Sequence, residues 1–250
     1  MTLKYFFSRP EDIPLNLTWN TYGVEHLTWL FAITLFIVYM CRMFKKADYE
    51  KQNKILKILA IVIVIQEIIK DIIHIYVGTF NLGHLPFHLC GISIFFTFWY
   101  AFKPGKICGE YLYALSLPGA MAALLFPDWT EYPMLHFSCI NSFTIHAWLV
   151  VFVFMLLYSG RLKPNYKVLP KTALLVGIIA VPVYFMNKAW GTNFMFLSSP
   201  APGSPLEILY NVFGNFYIPA ALSLVLFVWG LMYAPWQIAY SKQNKMEEIV

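Results

Sequence analysis

Charge is what this sequence has least of. Only 12% of its residues are Asp, Glu, Lys or Arg, about half the share of a soluble domain, so a fully water-solvated surface is excluded. Paired cysteines are missing too. Cys41, Cys90, Cys108 and Cys139 form no CxxC and no recurring spacing, which leaves a disulfide framework or a structural zinc site without support. Met1 to Pro10 hold no apolar core before the acidic pair Glu11 and Asp12, so no cleavable signal peptide is expected. No internal repeat, low-complexity tract or soluble domain is visible.

What fills the chain instead is apolar. Hydrophobic residues make up 59% of the 250, and the aromatics reach 18%, with 22 Phe, 16 Tyr and 8 Trp. Aromatic rings favour membrane interfaces, where a flat apolar body carries a polar tip. A helix needs about 20 mostly apolar residues to cross the hydrocarbon core. The sequence predicts an all-α, polytopic bundle forming one domain of seven transmembrane helices, near 25–43, 55–77, 86–102, 110–126, 140–158, 170–187 and 206–234. Pro86, Pro170 and Pro205 sit at or just before predicted starts, where a missing N–H costs nothing. Pro182 and Pro219 fall inside spans and are expected to kink them.

A net charge of +5 could suggest nucleic acid, but the basic residues cluster between apolar runs. Arg42, Lys45, Lys46, Lys51, Lys54 and Lys57 flank one connection, and Lys103 and Lys106 another. Arg161, Lys163, Lys167 and Lys171 follow, then Lys242 and Lys245 in the tail. These alternate flanks hold 14 of the 18 basic residues, whereas the opposite side has Lys4, Arg9 and Lys188. By the positive-inside rule the N-terminus lies outside and the C-terminus in the cytoplasm. The partners expected are membrane lipids, with no nucleic acid and no obligate protein partner.

Ionisable residues inside spans are expensive, and they face bundle interiors or water-filled cavities. In ILKILAIVIVIQEIIKDIIHIYV, Glu67, Lys70, Asp71 and His74 recur every three or four residues and so share one helix face. Either Lys70 neutralises a carboxylate in a structural network, or the face serves function. Depth assigns more. His74 lies about one turn inside the outer surface. His88 and Cys90 fall in the first turn or so of the third span, and Asn141, Ser142 and His146 in the first two turns of the fifth. Asn211 and Asn215, four apart, open the seventh. Four helices thus bring polar groups to the outer half of the membrane, a candidate pocket. Cys90 near a helix N-terminus feels a dipole that favours thiolate, which apolar surroundings oppose. His146, His88 or His74 could accept its proton, although a buried cysteine is also commonly an inert small hydrophobe.

Four segments carry a resemblance: HLPFHLCGISIF (84–95), SLPGAMAALLFPDWTEYP (116–133), FTIHAW (143–148) and NFMFLSSPAPGSPLE (193–207). On these the chain resembles the YwaF-like family of small bacterial membrane proteins. That family is similar to a eukaryotic transmembrane acyltransferase acting on ether phospholipids, and to membrane hydrolases of branched fatty-acid esters. The resemblance implies a bacterial cell membrane and a reactive Cys/His pair, here Cys90 and His146. It implies lipid acyl transfer through an acyl-cysteine, with a lysolipid or water as acceptor. Glu67, Lys70, Asp71, His74, His88, Asn141, Ser142, Asn211 and Asn215 would line or support that pocket, and no cofactor is expected. Two rivals stand beside it. A zinc hydrolase resembling the alkaline ceramidases would use His84, His88, His146 and Asp71. A transporter or small-molecule binder would relay protons through Glu67, Lys70 and Asp71.

Overall fold

The computed structural model describes residues 3–247, with the side chains of Leu15 and of 242–247 left aside. The side chains of the tail lysines Lys242 and Lys245 therefore lie outside the described residues. Among those residues no strand occurs. Six stretches are long and apolar enough to cross a membrane: Val24–Lys46, Leu82–Phe102, Lys106–Leu125, Phe137–Ser159, Leu169–Trp190 and Pro205–Ser241.

The helices are α1 (Val24–Lys46), α2 (Tyr49–Val77), α3 (Leu89–Phe102), α4 (Lys106–Tyr111), α5 (Leu117–Leu125), α6 (Phe137–Ser159), α7 (Leu169–Trp190), α8 (Pro205–Phe213) and α9 (Tyr217–Glu247). At 29 residues, α2 is about 43 Å long, more than enough to span. Glu67, Lys70 and Asp71 within its apolar run are what set it apart from the other six stretches.

α6 is the hub. Leu149 to Val153, Met155 and Leu156 are all buried, so this stretch is covered on every side, as a helix apolar all round must be. α1, α2, α3 and α5 pack around it. The outer helices turn apolar stripes outward: Leu27, Phe31, Leu35 and Val38 on α1; Leu174, Ile178, Val181 and Phe185 on α7; Leu222, Leu226 and Leu231 on α9. Such surfaces are aggregation-prone in water but match lipid tails.

α4 and α5 form one continuous helix through a π-turn at Leu112–Ser116. A π-turn disturbs the i→i−4 ladder and changes which carbonyls have partners. α9 meets this region with Trp229 Nε1 donating to the Ala114 carbonyl at 2.7 Å and Tyr113 Oη to Met232 O at 2.6 Å. Beside them Tyr233 Oη donates to the buried carboxylate of Glu110, which also accepts from the Asn165 backbone N–H.

Three expectations about boundaries need correction. The stretch 206–234 is not one kinked helix: it breaks at Gly214, whose φ of 51° and ψ of −117° are not helical. Pro219 then falls in the first turn of α9, where it interrupts no hydrogen bond and causes no kink. α3 starts at Leu89 rather than 86, and α6 starts three residues earlier than 140, which sets His146 deeper along its helix.

Candidate functional site

The short length of α3 shapes the site. Its 14 residues span about 21 Å, well short of the roughly 30 Å hydrocarbon core. The preceding residues from Leu82 must therefore supply the remaining depth without a regular helix. A 3-10 turn, Leu82–His84, is closed by a capping box between Asn81 and His84. Phe87 N–H then bonds Leu85 O at 2.8 Å, and His88 becomes the N-cap of α3 without a side-chain cap bond. Such backbone is tolerated at membrane depth only where protein or a cavity covers it. Gly91 explains how this stretch folds back on α3, because a Cβ there would stand 2.8 Å from the Cα, C and O of Pro86. Cys90, partly buried, thus occupies the first turn of a helix that begins seven residues into the apolar stretch Leu82–Phe102.

His146 is the tenth residue of α6, roughly 14 Å from its start. Its Nδ1 lies 2.6 Å from the Ser142 carbonyl. A carbonyl only accepts, so Nδ1 carries the hydrogen and the neutral ring keeps its lone pair on Nε2. One ring face stacks on Trp129, with centroids 5.4 Å apart and planes 6° apart. No hydrogen bond joins Cys90 to His146 among the described residues.

On α2, Lys70 Nζ sits 2.5 Å from Glu67 and 3.3 Å from Asp71, and bonds the His84 carbonyl at 3.3 Å. His74 Nδ1 meets Thr79 Oγ1 at 2.9 Å, and its ring lies 4.2 Å from that of His84. Asn141 belongs to a neighbouring clasp that the sequence reading missed: Gln66 Nε2 donates to Asn141 Oδ1 at 3.0 Å and to Thr144 Oγ1 at 2.7 Å. The clasp sits one residue from the charged face and ties α2 to α6.

One irregular segment packs on the break before α3, and another is fastened to the nearby ends of α2 and α6. The loop after α7 presses Phe194 and Phe196 against the His88 ring, at 5.3 and 5.4 Å between centroids. Met195 and Phe196 both hold positive φ, 57° and 53°, which costs bulky residues energy and is kept only where surroundings enforce it. Buried Asn187 is the enforcer, since it accepts from Phe194 N–H at 2.8 Å and donates to Phe194 O at 3.0 Å. The N-terminal segment is fastened by Phe137 N–H to Phe6 O and by Arg9 Nε to Val77 O. His136 adds a third tie: Nε2 donates to Ser8 O at 3.0 Å while Nδ1 accepts from Ser138 N–H. Burial pushes the pKa of His136 below its ordinary value, and the bond to Ser8 partly counters that.

Some expected residues do not converge. Asn211 and Asn215 are exposed, and the break at Gly214 takes them off a common helix face. Among the described residues no group of three or more His, Cys, Asp or Glu could hold a metal ion, so His84, His88, His146 and Asp71 do not assemble into a zinc site. Conversely, fully buried His26 was not singled out. It donates from Nε2 to Leu124 O at 2.8 Å and accepts Tyr22 N–H on Nδ1, which makes it a satisfied structural ring. Trp129 and Asn187 carry no sequence signal beyond being aromatic or polar near a helix end, and Gln66 none beyond being polar within an apolar run.

The matching family adds a class to this geometry. Residues 21–233, from just before α1 into α9, match the TMEM164 family, a family of transmembrane proteins. The chain belongs to the TMEM164 family and, with its six long apolar stretches, is a multi-pass membrane protein. No curated protein and no solved structure matches it.

Proposed function

We propose that this protein is a membrane-embedded lipid acyl-transfer enzyme in which Cys90 is the nucleophile and His146 the general base. The observation that carries the reading is the break before α3. A thiol in the first turn of a helix starting at membrane depth meets free backbone N–H groups there, and these suit a developing oxyanion. His146 supports it, being partly exposed with its Nε2 lone pair unspent on protein. Cys90 Sγ attacks the ester carbonyl carbon while its proton passes to Nε2 of His146. The tetrahedral intermediate collapses, the C–O bond breaks, and the lysolipid oxygen takes that proton. A lysolipid or water then attacks the thioester and restores the thiol.

The same reading takes α2 as a seventh span, with the N-terminus outside and the C-terminus in the cytoplasm, because the basic residues alternate with seven crossings. Reporter fusions at Lys46, Lys106, Lys167 and Lys245 are expected inside, and at Asp128 and Lys188 outside. An odd number of crossings between Lys106 and Lys167 would sink that topology. The resemblance to the YwaF-like proteins is what supports a bacterial cell membrane. The chemistry is tested by incubating purified protein with a radiolabelled diacyl phospholipid. Acyl label released by neutral hydroxylamine is expected on the protein, lost in Cys90→Ser, and slowed about 10²–10⁴-fold in His146→Ala. Full lipid turnover by Cys90→Ala overturns the mechanism.

A further inference from the structure

Trp129 carries a polar group that the fold leaves unused. Its ring is 8% exposed and its Nε1–H is buried without a hydrogen-bond partner. A buried orphan donor is costly, and each one in a native fold asks for an explanation. Other tryptophans of this chain show the usual solution: Trp229 Nε1 reaches Ala114 O at 2.7 Å, and Trp236 Nε1 reaches Tyr113 Oη at 3.0 Å. Trp19 Nε1, also without a standard partner, has the Cys139 thiol beside it. Trp129 has neither, and nothing in the fold requires its nitrogen.

Its placement points to a substrate. The ring lies parallel to His146 and meets Phe143 edge-on at 5.5 Å and 89°, so stacking on two sides fixes the indole. The loop between α5 and α6 therefore carries an unspent donor to the side of His146. A lipid acyl ester brings what that donor lacks, a carbonyl oxygen without hydrogen.

We propose that Trp129 is a catalytic residue, donating its indole N–H to the carbonyl oxygen of the bound acyl ester and to the oxyanion formed when Cys90 attacks. The catalytic half rests on the acyl-transfer reading above, whereas recognition of the ester carbonyl does not. The indole keeps its hydrogen throughout: the thiol proton goes to His146, and the carbonyl electron pair moves to oxygen and returns as the C–O bond to the leaving lysolipid breaks.

The test separates the two halves. In Cys90→Ala protein, where no thiol chemistry occurs, affinities are compared for a short-chain diacyl phospholipid and its dialkyl ether analogue, which has no carbonyl. The ester is expected to bind about five- to tenfold tighter, one hydrogen bond's worth. Trp129→Phe should abolish that preference while ether affinity stays the same. With Cys90 present, Trp129→Phe should slow acyl labelling roughly 10²-fold, as loss of one oxyanion donor does. Should the phenylalanine variant fail to fold, 3-benzothienylalanine at 129 keeps the indole shape and removes only the N–H. An ester preference that survives either replacement, or is absent from the start, overturns the proposal. Failure of Cys90 to label, with a Trp129-dependent ester preference intact, instead overturns the thiol mechanism and leaves carbonyl recognition standing.

Discussion

Gly91→Ala is the sharpest way to ask whether the break before α3 positions Cys90. The new Cβ would stand 2.8 Å from three backbone atoms of Pro86, where carbon contacts settle near about 3.5–4.0 Å. Backbone cannot rotate away as a side-chain tip does, so the 85–88 stretch and the first turn of α3 must part by about 1 Å. Overpacking of this kind costs about 1–3 kcal/mol. The better helix propensity of alanine returns about 1 kcal/mol, which leaves a net loss of roughly 0–2 kcal/mol. Function should suffer more than stability, since a displacement of about 1 Å in a reacting group can cost on the order of 10²-fold. The assay pairs single-turnover acyl labelling with thermal unfolding in detergent. Gly177→Ala is the control, because a Cβ there meets nothing within 4 Å. A Gly91→Ala protein that labels at the wild-type rate, or loses rate only in proportion to folded protein, would refute the reasoning.

Three further outcomes are expected. Lys70→Met should lower stability by about 3 kcal/mol, because Glu67 at 2.5 Å and Asp71 at 3.3 Å lose their cation, whereas exposed Lys54→Met should change little; equal melting temperatures would mean that the cluster is solvated. Asn187→Ala should unfasten Phe194 and expose the loop over His88 to protease at a cost of about 1–3 kcal/mol, and unchanged cleavage would show that the strained turn holds itself. The anchoring around His136 should weaken with acid, because a charged ring is penalised by burial and its Nδ1 can no longer accept the Ser138 N–H, although the bond to Ser8 persists: a histidine whose folded pKa is depressed adds stability that is present above the unfolded value, about 6.5, and is lost as pH falls through the folded one. Hydrogen exchange in residues 3–12 should accelerate on acidification beyond the intrinsic rate change, and His136→Gln should flatten that dependence.

The helices were legible because lipid imposes one rule, long apolar runs, and α1, α6 and α7 follow it with ends within about four residues of expectation. The face Glu67–Lys70–Asp71–His74 was readable for the same reason, since charge stands out against Ile and Val. Apolar runs say nothing about breaks, however. Gly214 and Pro219 both lie in the last predicted span, and proline was the natural suspect. Proline is harmless in a first turn, whereas Gly214 adopts a backbone conformation closed to other residues, so the glycine ends α8. Trp129 was invisible for another reason: an aromatic in a loop reads as an interfacial anchor, and only packing shows that its nitrogen is unpaired.

These breaks follow a logic that ties the fold to the proposed chemistry. A helix that starts inside the membrane leaves up to four N–H groups unpaired, a heavy cost where no water can reach. The chain could have avoided this by starting α3 at the head of its apolar stretch, as α6 does in Phe137–Ser159. Instead it spends Asn81 on closing the preceding turn, Gly91 on letting Pro86 approach, and a strained Met195–Phe196 pair, locked by Asn187, on covering His88. The packing of α3 against α2 and α6 lies in the apolar core that includes Ile63 and Ile92. On the proposed mechanism the break is explained by what it presents, Cys90 in a first turn whose N–H groups have no partner within the helix. Straightening the start of α3 should therefore improve stability at the expense of acyl transfer. A variant in which Pro86→Ala and His88→Glu extend the helix N-terminally is expected to melt at a higher temperature and to label poorly, and one that labels normally would mean that the break serves packing alone.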